Sequence, residues 1–362
     1  MKSWVKEKLK HIADLYPQER LEKSKARYTA IWQGKLPQDR YPFVFSPAGF
    51  DYYNDVMTKE DNLRAYLDEF ILRGFVPDDF IPGFFPGCKP STIPSMFGAP
   101  EIVIGGDYTC EKILHKPEDI DNLPFPSIRP GTPAAQWLEY EQYFLEECEG
   151  EIPIHVCDMQ GPTDVSAQIF GYDNLFLCAY DDPKRFHKLM TLATEAFYML
   201  WDAQAKLLGE HFIGTHLYGW SWVPKGAPVS LSADVMAMLS AEFFDMYCAP
   251  YLAEIAARYG GVCVHSCGDF GAVMPGLCAI PGVAAVNAGQ MSVKGMLDAG
   301  FKRDKVIVLS DMIDNANATL ELAKRHNLLM DITLWGAWPQ DIEGSRKAII
   351  KKANQVAEAA RF

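Results

Sequence analysis

Gly260-Gly261-Val262-Cys263-Val264-His265-Ser266-Cys267-Gly268-Asp269 is a glycine pair, a short apolar-rich run and a third glycine, with a helical pattern following over Val273–Leu277. An apolar run of this length between glycines predicts a buried strand. The unit recurs along the chain. Strand-like runs lie at Phe43–Phe45, Ile152–Met159, Phe212–Leu217, Val229–Leu231, Val283–Val286, Val306–Leu309 and Leu329–Leu334. Helical runs lie between most of them, at Pro183–Leu208, Ala233–Arg258, Val293–Ala299, Ala316–His326 and Glu343–Ala360. Strands alternating with helices make βαβ units and a parallel sheet. About eight strands over this length favour a closed (β/α)8 TIM barrel over an open doubly wound sheet. The dinucleotide fingerprint G-x-G-x-x-G and the P-loop G-x-x-x-x-G-K-[ST] are both absent, which removes the main support for a nucleotide-binding open sheet. The expectation is one α/β domain over residues 1–362, with its chemistry at the C-terminal ends of the strands.

Residues 1–42 read as a helical N-terminal extension, because Trp4, Leu9 and Ile12, then Leu21, Ala26 and Ala30, recur at helical spacing among charges. Residues 63–72 continue in helical spacing. Residues 75–133 are rich in Pro, Gly and aromatics, with a hairpin pattern only near Ile102–Leu114. So long an irregular stretch predicts a functional cover segment.

Composition narrows the partners. The net charge of −13 and pI near 5.1 argue against nucleic acid and against an anionic membrane surface, both of which need a Lys/Arg excess. No apolar h-region follows the lysines near Met1, and no run reaches the ~18–20 apolar residues of a membrane span. Nine scattered cysteines do not make a disulfide framework. Cys88, Cys110, Cys148, Cys157, Cys178 and Cys248 read as small apolar fillers. The expected location is a reducing compartment, the cytoplasm.

Within the quoted stretch, Cys263, His265 and Cys267 share one face of the strand. His265 and Cys267 sit at its C-terminal end, where Gly268 lets the chain turn. Imidazole and thiolate at this spacing suit one Zn²⁺. The plainer reading of the spacing is a hydrogen-bonded core histidine beside an inert cysteine. Cys263, two residues deeper, reads as core. His216 lies in the strand that Tyr218, Trp220 and Trp222 follow, and Trp335 and Trp338 follow the last strand. Such rings either wall a flat apolar pocket or pack as ordinary loop residues. Asp158 and Gln160 end another strand, and Asp311 and Asp314 follow Val306–Leu309. A carboxylate in such a place is an acid, a base, a ligand or a helix cap. Asp234 reads as a cap or first-turn residue of the helix that follows it.

These motifs together resemble the uroporphyrinogen decarboxylase superfamily of barrels. Arg27-Tyr28, Ala30-Ile31, Gly34-Lys35, Pro37, Asp39-Arg40 and Pro42 look like its N-terminal motif. Gly161-Pro162-Thr163 to Gly171, followed by Asp182-Pro183, looks like its middle block, and Ser240 to Pro250 and His265-Ser266-Cys267-Gly268 look like its later ones. The decarboxylase itself holds a polycarboxylated tetrapyrrole with an R-Q-A-G-R segment, where this chain has Ser46-Pro47-Ala48-Gly49-Phe50-Asp51 and no arginine. The resemblance therefore points to the corrinoid-dependent methyltransferase branch, whose zinc is held by His-x-Cys and a later Cys. His265 and Cys267 match the first two metal ligands. Leu334-Trp335-Gly336-Ala337 stands where the third is expected, so a carboxylate such as Asp311 is the candidate to complete the site. The resemblance implies methyl transfer from a small methylated substrate to a corrinoid carried by a partner protein. The rings of Tyr218, Trp220, Trp222 and Trp335 suit an aromatic methyl ether (an O-demethylation), with Asp158 and Gln160 also lining the substrate. The leaving oxygen needs zinc or a proton donor such as His216 or Asp311. The alternatives are a tetrapyrrole decarboxylase and a non-catalytic corrinoid- or ligand-binding barrel. A homodimer is compatible with all three.

Overall fold

The computed structural model describes residues 1–46, 57–87, 89–215, 221–336, 338 and 341–362, the side chain of Asp107 excepted. Ten strands occur among them. They are β1 (Phe43–Phe45), β2 (Glu101–Ile104), β3 (Asp107–Cys110), β4 (Ile154–His155), β5 (Phe212–Ile213), β6 (Val229–Ser232), β7 (Val262–Ser266), β8 (Val283–Ala288), β9 (Val306–Met312) and β10 (Leu329–Trp335). Six of them form one sheet in the order β1-β10-β9-β8-β7-β6, with every neighbour parallel. β4 and β5 form a separate parallel pair. The antiparallel pair β2–β3 is the hairpin expected within the cover segment.

The helices are α1 (Ser3–Leu15), α2 (Gln18–Trp32), α3 (Lys59–Arg73), α4 (Pro133–Glu147), α5 (Pro162–Phe170), α6 (Tyr172–Asp181), α7 (Pro183–Leu208), α8 (Ala241–Phe243), α9 (Ala249–Tyr259), α10 (Met274–Ala279), α11 (Val293–Asp298), α12 (Ala316–His326) and α13 (Ile342–Ala359). None of the described helices is long and apolar enough to cross a membrane.

Parallel strands need cover on both faces, and side chains alternate between those faces. One face carries Leu231, Val264, Val286, Ile307, Leu309, Met330 and Ile332, which join the helices in the main core. The other begins apolar. There Cys263, Ala285, Val306, Val308 and Leu329 pack with Ile31 of α2 and with Val223, so α2 closes the sheet where its strands start. Toward the strand ends this face turns polar, with Ser232, His265, Asn287 and Thr333 all buried. Burying polar side chains costs free energy unless each finds a partner. The polar stretch marks where chemistry is to be sought.

One expectation is met in part and another needs correction. The closed eight-stranded ladder is not seen among the described residues. At the β6 edge the Gln160–Ser232 bridge leads toward the β4–β5 pair and the Phe84–Ile154 bridge, and at the β1 edge the Asp79 N–H donates to the Phe43 carbonyl at 2.9 Å. The predicted helix Ala233–Arg258 is also broken. It opens as a 3-10 turn over Asp234–Met238 and restarts where the Ser240 hydroxyl accepts the Phe243 N–H at 3.1 Å. A π-helical turn over Phe244–Cys248 then precedes α9. Pro250 explains the π turn, since it has no N–H for the Met246 carbonyl and its ring crowds that carbonyl.

The segment 75–133 has few strands and helices but is well packed. Ile93, Met96, Phe97 and Ile120 enter the main core. The buried Lys89 ammonium donates to Glu101 of β2 at 3.1 Å and lies 4.1 Å from the centre of the Tyr108 ring of β3.

Candidate metal centre

β7 delivers His265 near its end, and Gly268, at φ 75°, turns the chain so that Cys267 stands beside the imidazole. His265 is 7% exposed, while Cys267 reaches solvent. The His265 Nε2 lies 3.4 Å from the Cys267 Sγ. Asp234 comes from the 3-10 turn after β6, and its Oδ1 lies 3.7 Å from the same Nε2. That carboxylate also accepts the Cys267 backbone N–H at 2.7 Å, which ties the turn after β6 to the end of β7. One ligand atom from each of Asp234, His265 and Cys267 falls within 4.8 Å of the other two.

Buried neighbours hold these groups. Asn287 of β8, in register with His265, meets its Nδ1 at 2.6 Å. Asp164 of α5, itself 3% exposed, accepts the Val235 N–H at 3.1 Å and so fixes the turn that carries Asp234. Burial first, and the Asp234 charge second, push the Asp164 carboxyl well above the usual carboxylate range. Partial burial, then the Asp234 carboxylate, push the Cys267 thiol up to about 11. At neutral pH that sulfur needs a cation at its side to become a thiolate.

A polar chain extends from this cluster. Ser232, in register with His265, donates from its hydroxyl to Asp158 Oδ1 at 3.0 Å. Gln160 donates to Asp158 Oδ2 at 3.1 Å and accepts from Gln168 at 3.4 Å. Asp158 and Gln160 thus share the face and the strand end that carry His265 and Cys267. Trp335 ends β10 on the same face, half-buried, in line with Asp331 and Thr333.

Two sequence candidates lie elsewhere. Asp311 pairs in register with Leu334, which faces the helices, and its carboxylate accepts from the Met312 N–H, Asn315 and Thr319 at 2.7–2.8 Å. It serves the start of α12 and is not one of the three grouped ligands. Trp222 packs on Tyr28 of α2, with ring centres 6.3 Å apart, and the Lys25 ammonium lies 5.6 Å from its ring centre. That is the end where the strands begin, away from His265. Trp338 is buried and donates to the Phe45 carbonyl at 3.4 Å. His216, Tyr218 and Trp220 lie outside the described residues. Sequence reasoning missed Ser232, Asn287 and Asp164, and it read Asp234 only as a cap. A buried polar residue on an otherwise apolar strand was the available signal for Ser232 and Asn287.

No protein-family model matches the chain, and no curated protein matches it significantly. Among solved structures it shares its fold with a methyltransferase from Methanosarcina mazei, with a TM-score of 0.66 over 92% of this chain and 98% of that one. Identity between the two is 14%, so the likeness is one of fold.

Proposed function

We propose that this chain is a methyltransferase of the uroporphyrinogen decarboxylase-like barrels. In this reading it moves a methyl group from a small methylated donor, by preference an aromatic methyl ether, to a corrinoid carried by a partner protein. The observation that carries it is the meeting of Asp234, His265 and Cys267 at the strand ends of a fold shared with a methyltransferase. Tetrahedral zinc with bonds of ~2.0–2.3 Å places neighbouring ligand atoms roughly 3.3–3.8 Å apart. The Nε2–Sγ and Nε2–Oδ1 separations of 3.4 and 3.7 Å fit that spacing, and imidazole, thiolate and carboxylate are all zinc donors. Asp234 takes the place first given to Asp311.

When bound, zinc supplies a Lewis acid for the oxygen that loses the methyl group. The chain's own residues do the rest. Trp335 offers a ring face to a planar donor, and Asp158 with Gln160 forms a polar wall. His216 remains the candidate proton donor to the leaving oxygen. Two carboxylates at this end, Asp158 and Asp234, would repel a polycarboxylated tetrapyrrole, which disfavours the decarboxylase.

The test pairs zinc content with methyl transfer from methoxyphenols to reduced cobalamin. About one zinc per chain, lost in His265→Ala together with methyl transfer, is the expected result. Full activity in zinc-free protein, or methylamines as the only donors that react, would overturn it.

A further inference from the structure

A neutral imidazole binds metal only through the nitrogen that lacks a hydrogen, and either ring nitrogen can carry it. In His265 a neighbour makes that choice. Asn287 is 1% exposed near the end of β8, where an amide finds no water. Its Nδ2 donates to the Val308 carbonyl of β9 at 3.0 Å, which fixes which end of the amide is nitrogen. Oδ1 therefore faces His265 Nδ1, at 2.6 Å, and can only accept. An acceptor there puts the ring hydrogen on Nδ1 and leaves the Nε2 lone pair directed at Cys267 and Asp234. The ring also meets Gly289, where an added Cβ would stand 3.4 Å from Cε1.

We propose that Asn287 is the positioning residue of the centre: its side-chain oxygen, locked by the β9 backbone, selects the tautomer and ring orientation that present His265 Nε2 to a divalent metal. The proposal rests on the metal reading above. It also accounts for a polar residue where a parallel strand favours Val or Ile, since the amide has a partner at both ends. Partners of this kind typically change metal affinity by about 10–100-fold.

The experiment measures zinc affinity by competition with a chromophoric chelator in the wild type, Asn287→Leu and Asn287→Asp. The visible spectrum of the cobalt(II)-substituted proteins is recorded beside it. Asn287→Leu is expected to weaken zinc about 10–100-fold and to alter the cobalt spectrum. Asn287→Asp keeps an acceptor at Nδ1 but loses the donor to the Val308 carbonyl, so it is expected to weaken zinc clearly less than Asn287→Leu does. Wild-type affinity in Asn287→Leu, or equal loss in both variants, overturns the inference while leaving the metal reading standing. A wild-type chain that binds no zinc overturns both. If Asn287→Leu does not fold, the ¹⁵N spectrum of the wild-type imidazole decides: hydrogen on Nδ1 is expected, and hydrogen on Nε2 overturns the proposal.

Discussion

Asp234 follows β6 and Asp311 lies near the end of β9, and their sequence contexts do not rank them as ligands. Register does. Asp311 belongs to the helix-facing set of β9 and satisfies Asn315 and Thr319 at the start of α12. Asp234 belongs to a turn that folds over the end of β7. Asp234→Ala is therefore expected to weaken zinc at least tenfold, the equivalent of ~1.4 kcal/mol. Asp311→Ala should leave zinc affinity unchanged and cost about 1 kcal/mol of stability, the usual loss when a helix-start acceptor is removed. Chelator competition and urea unfolding of the two variants separate these roles. Zinc loss in Asp311→Ala with none in Asp234→Ala would reverse the assignment.

The break in the Ala233–Arg258 pattern matters at the level of elements. A single helix from Ala233 would have carried Asp234 along its axis, whereas the short 3-10 turn lays that side chain against the Cys267 backbone. Trp222 and Trp335 are likewise separated by the elements that hold them. Trp335 is the last residue of β10, on the polar face, while Trp222 is held by α2 at the far end. Trp335→Ala should weaken methoxyphenol binding about tenfold, ~1.4 kcal/mol. Trp222→Ala should leave it unchanged and lower only the melting temperature, through lost packing on Tyr28. Isothermal titration of both variants checks this, and equal effects on binding would show that Trp335 is not part of the donor pocket.

Over the whole molecule, acidic groups are buried well beyond the centre. Glu141 of α4 has both carboxyl oxygens buried without a hydrogen-bond partner, and burial alone pushes it well above the usual carboxylate range. The folded chain holds this proton at a pH where the unfolded chain has released it. Stability from this group is thus complete below the ordinary glutamate range and is lost as pH rises from there toward the folded value. Glu141→Gln cannot ionise. Its stability relative to wild type should grow steadily from pH 4 upward in urea unfolding curves. A difference that stays flat with pH would mean that Glu141 has a partner in solution.

Strand positions, the α/β class and the placing of His265 and Cys267 at a strand end were all legible in the sequence. Each depends on contiguous residues: period-two burial, glycine at the turns, and apolar runs of strand length. Hairpin β2–β3 was legible for the same reason. The third ligand and the partner of His265 were not. Asp234 lies 33 residues from Cys267, and Asn287 lies 22 from His265. Which of several polar residues meets a given imidazole is set by strand order and register across the sheet. Those are pairings between distant segments, fixed only when the helix-facing sides of β6, β7, β8 and β9 bury themselves together in one core. That burial turns Ser232, His265 and Asn287 to the same opposite face, and only there do they become neighbours.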